Sequence, residues 1–419
     1  MIATIRHNAG TALLTILVLL LALSLGRGDG VSGLRTATGA FEQDLVRWEV
    51  SHFLDKWATR AVELLLFRSP NDAERSEALD AFFAARDGLR TAQADVDRAA
   101  SSATPTLSVD ETQRALDDLQ AERDKLKPVV EETIEAAVTG VLDDLGITDG
   151  IGPLRWPPVD FTFEEDGRTL VRSPRDKIDR LADVLLEPDI SVPSQMALEG
   201  EVDALDPDTV SLVIRVSGVA TYPAQVSPHR SLHGTLELVS HEWLHHCLFF
   251  RPLGSKWWSG SELRSINETT ATIFGQEVGD RALTRLTGEV FNRPPWVPPV
   301  IRRRGEPAPD VFDFNREMRA TRVELDALLR DGQMAGAEEY LEERRLEFVA
   351  NGFDIRKLNN AWFAFHGTYA DSAASVSPIE GQLRAIMADS STLAEWLDRI
   401  AGIDRPGQLE TMALEAGWE

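Results

Sequence analysis

A chain of 419 residues, 43 % hydrophobic and 26 % charged, is too long for a stapled miniature and too apolar for wholesale disorder, so one or two domains with a sizeable core are expected. Its 68 acidic residues against 43 Lys and Arg give a formal charge of −25, which repels phosphate backbones and excludes nucleic acid as a partner. The single cysteine, Cys247, excludes an intrachain disulfide and any multi-thiolate metal site. A metal must be held by His and carboxylates.

Arg6 and His7 precede an uncharged run over 8–26 whose centre is dense in Leu. Residues 1–30 read as a membrane-directed segment, either a signal anchor or a signal peptide cut near Ala22, Ser24 and Gly26. The basic flank keeps the amino terminus inside and sends the body outside, membrane-anchored and extracytoplasmic or secreted, with the membrane itself as a partner. There Cys247 reads as a small buried side chain.

Residues 31–149 read as a helical hairpin region. Helical spacing runs over 41–96, as in Phe53, Trp57, Val62, Leu65 and Leu66. Ser108 with Glu111 forms a capping box opening the next helix. Leu116, Leu119, Leu126 and Val130 recur at near-heptad distance, closing within one chain or between two, and Pro128 kinks or splits that helix.

Glycines and prolines over 150–158 mark the start of a core spanning 150–292. Strands are expected at 159–163 and 169–171, a helix at 177–186, and the strongest strand at 210–216, where Val210, Leu212, Val213, Ile214 and Val216 are nearly continuous. Residues 293–310 carry six prolines and the triplet Arg302, Arg303 and Arg304. They form an extended connector with the triplet in solvent. Helices at 315–330 and 334–349, closed by Asn351 and Gly352, with more helix from 358 to the end, make up a carboxy-terminal region over 311–419.

Chemistry concentrates at His241-Glu242-Trp243-Leu244-His245. At about 100° per residue the two imidazoles share one helix face a turn apart, so both can grip one ion while Glu242 reaches a water on it. Ser227 as cap, Pro228 in the first turn and a stop at 251–254 give this helix about six turns. A catalytic zinc needs a third protein ligand and one open position. Glu268, within Asn267-Glu268-Thr269-Thr270-Ala271 on a second helix, is the preferred third ligand. Two alternatives stand beside it: Ser265 and Glu268 also satisfy a capping box, and Glu277 lies on the same helix but points about 180° away.

The HExxH and NExxA segments together resemble the gluzincin zinc metallopeptidases, over about 30 residues, or roughly 60 with the preceding strand. A shorter stretch, Leu358 to Ala361 with Thr368 and Tyr369, is similar to one in bacterial envelope proteins assigned as aminopeptidases. The resemblance implies an α+β, predominantly α-helical fold: a zincin-like catalytic unit with a small sheet and the HExxH helix, preceded by the helical hairpin and membrane segment and completed by the carboxy-terminal helices. It implies Zn2+ on His241, His245 and Glu268. Glu242 would take a proton from the zinc-bound water and return one to the leaving amine, and an edge strand over 210–222 would align a peptide or protein substrate. Tyr369, then His366, would steady the oxyanion. Gluzincin aminopeptidases hold the substrate amine with acidic residues on that strand, whereas residues 217–222 carry no carboxylate, so exo- and endopeptidase action both stay open. The rival reading is a non-catalytic, membrane-anchored envelope protein with a structural metal and a partner-binding hairpin.

Other aromatic and imidazole groups read more blandly. His229 and His233 are expected in solvent or behind the site rather than on a second metal, and His246 packed or hydrogen bonded. Trp257 and Trp258 either line a cleft or cap the core.

Overall fold

The computed structural model describes residues 33–45, 47–49, 51, 70–101, 108–147, 149–151, 154–302 and 311–418. A short helix, α1 (Leu34–Thr38), precedes the long α2 (Asp72–Ser101). The capping box forms as expected and opens α3 (Val109–Asp124): Ser108 Oγ accepts from the Glu111 amide while the Glu111 carboxylate accepts from the Ser108 amide. Pro128 splits the helical stretch, sitting in the first turn of a separate α4 (Lys127–Asp144), where an N–H would have no helical partner anyway.

After the antiparallel pair β1 (Asp149–Ile151) and β2 (Leu154–Trp156) come β3 (Phe161–Phe163), β4 (Gly167–Pro174) and β5 (Ala182–Leu186). The expected helix over 177–186 is thus a loop and a strand: β5 pairs antiparallel with β4, from Arg172 opposite Ala182 to Arg168 opposite Leu186. An apolar run this short fits either period, and the partner strand decides it. Next are α5 (Val192–Leu205), β6 (Thr209–Val216), β7 (Gly218–Val219) and β8 (Ala224–Val226). The helices α6 (Leu232–Leu248), α7 (Pro252–Ser255) and α8 (Ser261–Thr287) come after them, and the carboxy-terminal part supplies α9 (Phe314–Arg330), α10 (Met334–Ala350), α11 (Asn360–His366), α12 (Ile379–Ala388), α13 (Leu393–Ala401) and α14 (Gln408–Glu415).

One sheet runs β5-β4-β6, all antiparallel. Leu170 and Val213 pack on one face with Leu34, Leu198 and Val202 of α1 and α5; Val171, Leu212 and Ile214 pack on the other with Ala361 and Phe365 of α11. Burial on both faces is why β6 reads as a nearly unbroken apolar run. The second sheet runs β3-β8-β7, with β3 and β8 parallel and β7 antiparallel. Its outer margin at β3 is closed by α4, whose Glu131 carboxylate accepts from the Phe163 amide at 2.8 Å and whose Glu135 accepts from that of Phe161 at 3.1 Å.

The main core joins Leu79 and Phe82 of α2, Ile134 and Val138 of α4, Val239 and Leu244 of α6, Ile266 and Phe274 of α8, and Leu383 and Trp396 of α12 and α13. Each such side chain contributes roughly 1.5–3 kcal/mol by burial. Trp243 on α6 also donates its indole N–H to the Pro157 carbonyl at 2.9 Å. Helix α6 starts later than expected: its cap is Ser231, whose hydroxyl accepts from the Gly234 amide at 3.1 Å, not Ser227. Helices α6 and α8 meet closely at Gly275 and Gly279. A Cβ there would stand 2.6 Å from the Glu237 carbonyl oxygen and 2.8 Å from its amide nitrogen, so only glycine admits this approach.

The fold is therefore mostly helical, with small sheets and an HExxH-bearing helix. Among the described residues no helix is long and apolar enough to cross a membrane. The expected membrane anchor, the membrane as partner and the membrane-anchored placement are therefore not supported by the structure; the segment 1–30 on which they rested lies outside the described residues. The longest described helix, α2, is no such span, since Glu74, Arg75, Glu77, Asp80, Arg86, Asp87 and Arg90 spread charge along its length. Arg302 is corrected too. It leaves solvent to pair with the buried Glu317 at 3.0 Å, while Arg303 and Arg304 lie outside the described residues.

Candidate active site

Helix α6 carries His241 and His245 one turn apart, facing α8, and α8 brings Glu268 up to both. His241 Nε2 and His245 Nε2 are 3.1 Å apart, and Glu268 Oε2 lies 3.3 and 3.4 Å from them. Three potential ligand atoms thus converge in a triangle whose sides lie within about 0.2 Å of the roughly 3.3–3.5 Å between ligands 2.0–2.1 Å from a tetrahedral ion. Glu268 sits in the second turn of α8, whose cap is Gly260, so it does not serve as a capping-box residue. Glu277 pairs with Arg281 at 2.8 Å, away from the cluster.

A neighbouring side chain fixes the imidazole's ligating atom. His245 Nδ1 lies 2.9 Å from Asn267 Oδ1, an oxygen that only accepts, so Nδ1 carries a proton and Nε2 is the atom that would ligate once it loses its own. Burial opposes the Glu268 charge, but the facing imidazoles outweigh it and hold the carboxylate far below its usual range. Burial likewise opposes protonation of His245, yet Glu268 overrides it and lifts the imidazole pKa to about 9 with these side chains alone. A divalent cation held there would take the place of the His245 proton beside the Glu268 carboxylate.

Glu242, adjacent to His241, is buried, and that burial raises its pKa although both imidazoles pull it down. The backbone of β7 runs directly against it: a Cβ on Gly218 would fall 2.2 Å from Glu242 Oε1. On the far side of the same turn His246 makes the expected buried bond, Nε2 to the Thr221 carbonyl at 2.8 Å.

The segment after α11 borders the site. Thr269, next to Glu268, accepts from the Ala370 amide at 3.0 Å, which holds Tyr369 with its ring 6.4 Å from that of His241. Burial, reinforced by Glu268, pushes the Tyr369 phenol well above its usual range, so it stays a neutral donor. His366 lies against Trp362 with ring centres 4.4 Å apart; burial and then Arg180 lower its pKa to about 4. Trp257 stands edge-on to His245 with ring centres 5.6 Å apart, while Trp258 is exposed. Cys247 is half-buried.

A second group, His233, Glu237 and Asp280, also converges at the α6–α8 seam. Here Arg293 supplies the positive charge, donating to Glu237 and to both oxygens of Asp280. His229 pairs with Glu165 at 2.8 Å near the surface.

His241, His245 and Glu268 have the geometry of the gluzincin HExxH-plus-Glu zinc motif, and with Glu242 they define an active site of the zinc-dependent hydrolase type. No protein-family model, curated protein or solved structure matches the chain. Asn267, Thr269, Gly218, Gly275 and Gly279 are parts of the arrangement that spacing alone did not single out. Only Asn267, inside the NExxA segment, stood in a recognised pattern.

Proposed function

We propose that this protein is a zinc peptidase, hydrolysing peptide bonds with Glu242 as the proton-transferring group. The observation that carries this reading is the convergence of His241, His245 and Glu268 within 3.1–3.4 Å beside a buried Glu242. A zinc ion held there would supply Lewis acidity, polarising the scissile carbonyl and lowering the pKa of a coordinated water. The cluster offers three ligands among the described residues, whereas structural zinc takes four, which favours catalysis over a structural metal.

Glu242 accepts a proton from the attacking water and delivers one to the departing amine; its raised pKa suits both halves of that shuttle. Tyr369, kept neutral and tethered through Ala370 to Thr269, donates its hydroxyl to the developing oxyanion. His366 is the lesser partner, since its ring rests on Trp362 and Phe365. An extended substrate adds its backbone beside β7, which places its carbonyl within reach of Glu242.

The test is Glu242→Gln in the full chain. The variant should hold one zinc per chain yet lose about 10²–10⁴-fold in kcat on peptides. Equal turnover by variant and wild type would end the reading.

A further inference from the structure

Beside the triad lie two arginines that the chemistry above does not use. Arg264 stands one turn before Glu268 on α8 and is only 4 % exposed. Its guanidinium lies 6.0 Å from the ring centre of Trp257, which abuts His245, and 5.5 Å from that of Trp258. Its Nη1 donates to the Arg180 carbonyl at 3.3 Å, whereas its Nε is buried with no hydrogen-bond partner. Arg180, in the loop before β5, has a side chain only 10 % exposed and covers the Phe365 ring at 4.8 Å, a ring 6.1 Å from that of Tyr369. It pairs through Nε with Asp183, and its Nη1 is likewise buried and unpartnered.

Arg180 is paired with Asp183, whereas Asp183, Asp179 and Glu268 act on Arg264 only from a distance. Asp179 pairs with Lys177 at 3.2 Å, and Glu268 faces the imidazoles. Arg264 thus makes no direct ion pair among the described residues, and two buried N–H donors, Arg264 Nε and Arg180 Nη1, are unpartnered in a chain that carries 25 more acidic than basic charges. Leaving a buried donor unmade costs about 1–3 kcal/mol each, more when charged. A carboxylate's two oxygens can accept one charge-assisted bond from each of these donors. From this cationic locus between Trp257 and Phe365, beside the triad, we infer that Arg264 and Arg180 bind a carboxylate of the substrate, placing a free carboxy terminus or an acidic side chain next to the bond that is cut. The inference rests on the peptidase reading and gives that site its specificity.

Three peptides of one neutral sequence test it with the zinc-loaded full chain: one with a free carboxy terminus, one amidated, and one amidated with a Glu beside the central bond. Wild type should favour a carboxylate-bearing peptide by at least about tenfold in kcat/KM, mainly through KM, and Arg264→Met should bring that ratio towards one. A preference for the free terminus or for the Glu peptide identifies the carboxylate's source. Calorimetric binding of the same peptides to zinc-loaded Glu242→Gln should show the same tenfold order without turnover. If wild type cleaves all three equally and Glu242→Gln binds them equally, the inference is overturned while the peptidase reading stands. If nothing is cleaved but the binding order holds, the peptidase reading fails and the carboxylate site survives. Should Arg264→Met fail to fold, the peptide comparisons in the other two chains decide the matter.

Discussion

Gly218→Ala adds one methyl group where the structure has no room for it. The new Cβ would lie 2.2 Å from Glu242 Oε1 and 2.8 Å from Leu238 Cδ1, so the carboxylate must withdraw by about 1 Å to regain an ordinary C···O contact. The φ of Gly218 is not in the left-handed region, which makes alanine acceptable to the backbone itself. Both obstructing atoms are side-chain ends. The disturbance therefore falls on the position of Glu242 rather than on the fold, at a stability cost of about 1–2 kcal/mol. A displacement of about 1 Å in a catalytic group lowers turnover on the order of 10²-fold, or about 2.7 kcal/mol in the barrier. Peptide hydrolysis measured as kcat/KM, with zinc content and a thermal melt on the same preparation, separates the two effects. A variant that keeps its zinc and cleaves within twofold of wild type would refute the placement of Glu242 against β7.

The same geometry sets three further outcomes. Asn267→Ala frees His245 Nδ1 and should weaken zinc binding about 10- to 100-fold in chelator competition. With its pKa at about 9, His245 must shed a proton to take metal. Zinc affinity should therefore rise with pH, about tenfold per unit between pH 6 and 8, and a flat profile in competition titrations would contradict the assignment. Gly279→Val pushes against the Glu237 backbone, so α6 and α8 must part; chemical denaturation should show a loss of about 1–3 kcal/mol together with weakened zinc retention.

What the sequence disclosed about the site was local or tied to a recognised spacing. His241 and His245 are one turn apart on one helix, so helical geometry alone places them together. Glu268 was reachable through the NExxA pattern, and the structure removed its capping alternative by starting α8 at Ser261. The contact of Gly275 and Gly279 with Glu237 spans about 40 residues of chain, and no periodicity encodes it. Arg180 stayed invisible for the same reason, arriving from a loop before β5. The misread segment 177–186 shows the limit for elements: Leu181, Ala182, Val184, Leu185 and Leu186 suit a helix face or a strand, and β4 settles the matter only in three dimensions. Ser227 and Ser231 can both cap, and the preference for Ser231 emerges only from where the chain leaves β8.

The carboxylates of Glu131 and Glu135 act towards β3 as a neighbouring strand would, occupying the amides of Phe163 and Phe161. That sheet is thereby plugged on one flank. Its other flank, Gly218 and Val219, has no strand alongside among the described residues except β8 behind it. An extended chain joining this sheet would have only that flank to pair with, and Gly218 on it abuts Glu242. The plug thus gives the molecule a one-sided berth, set by two helix residues far from the catalytic cluster in sequence.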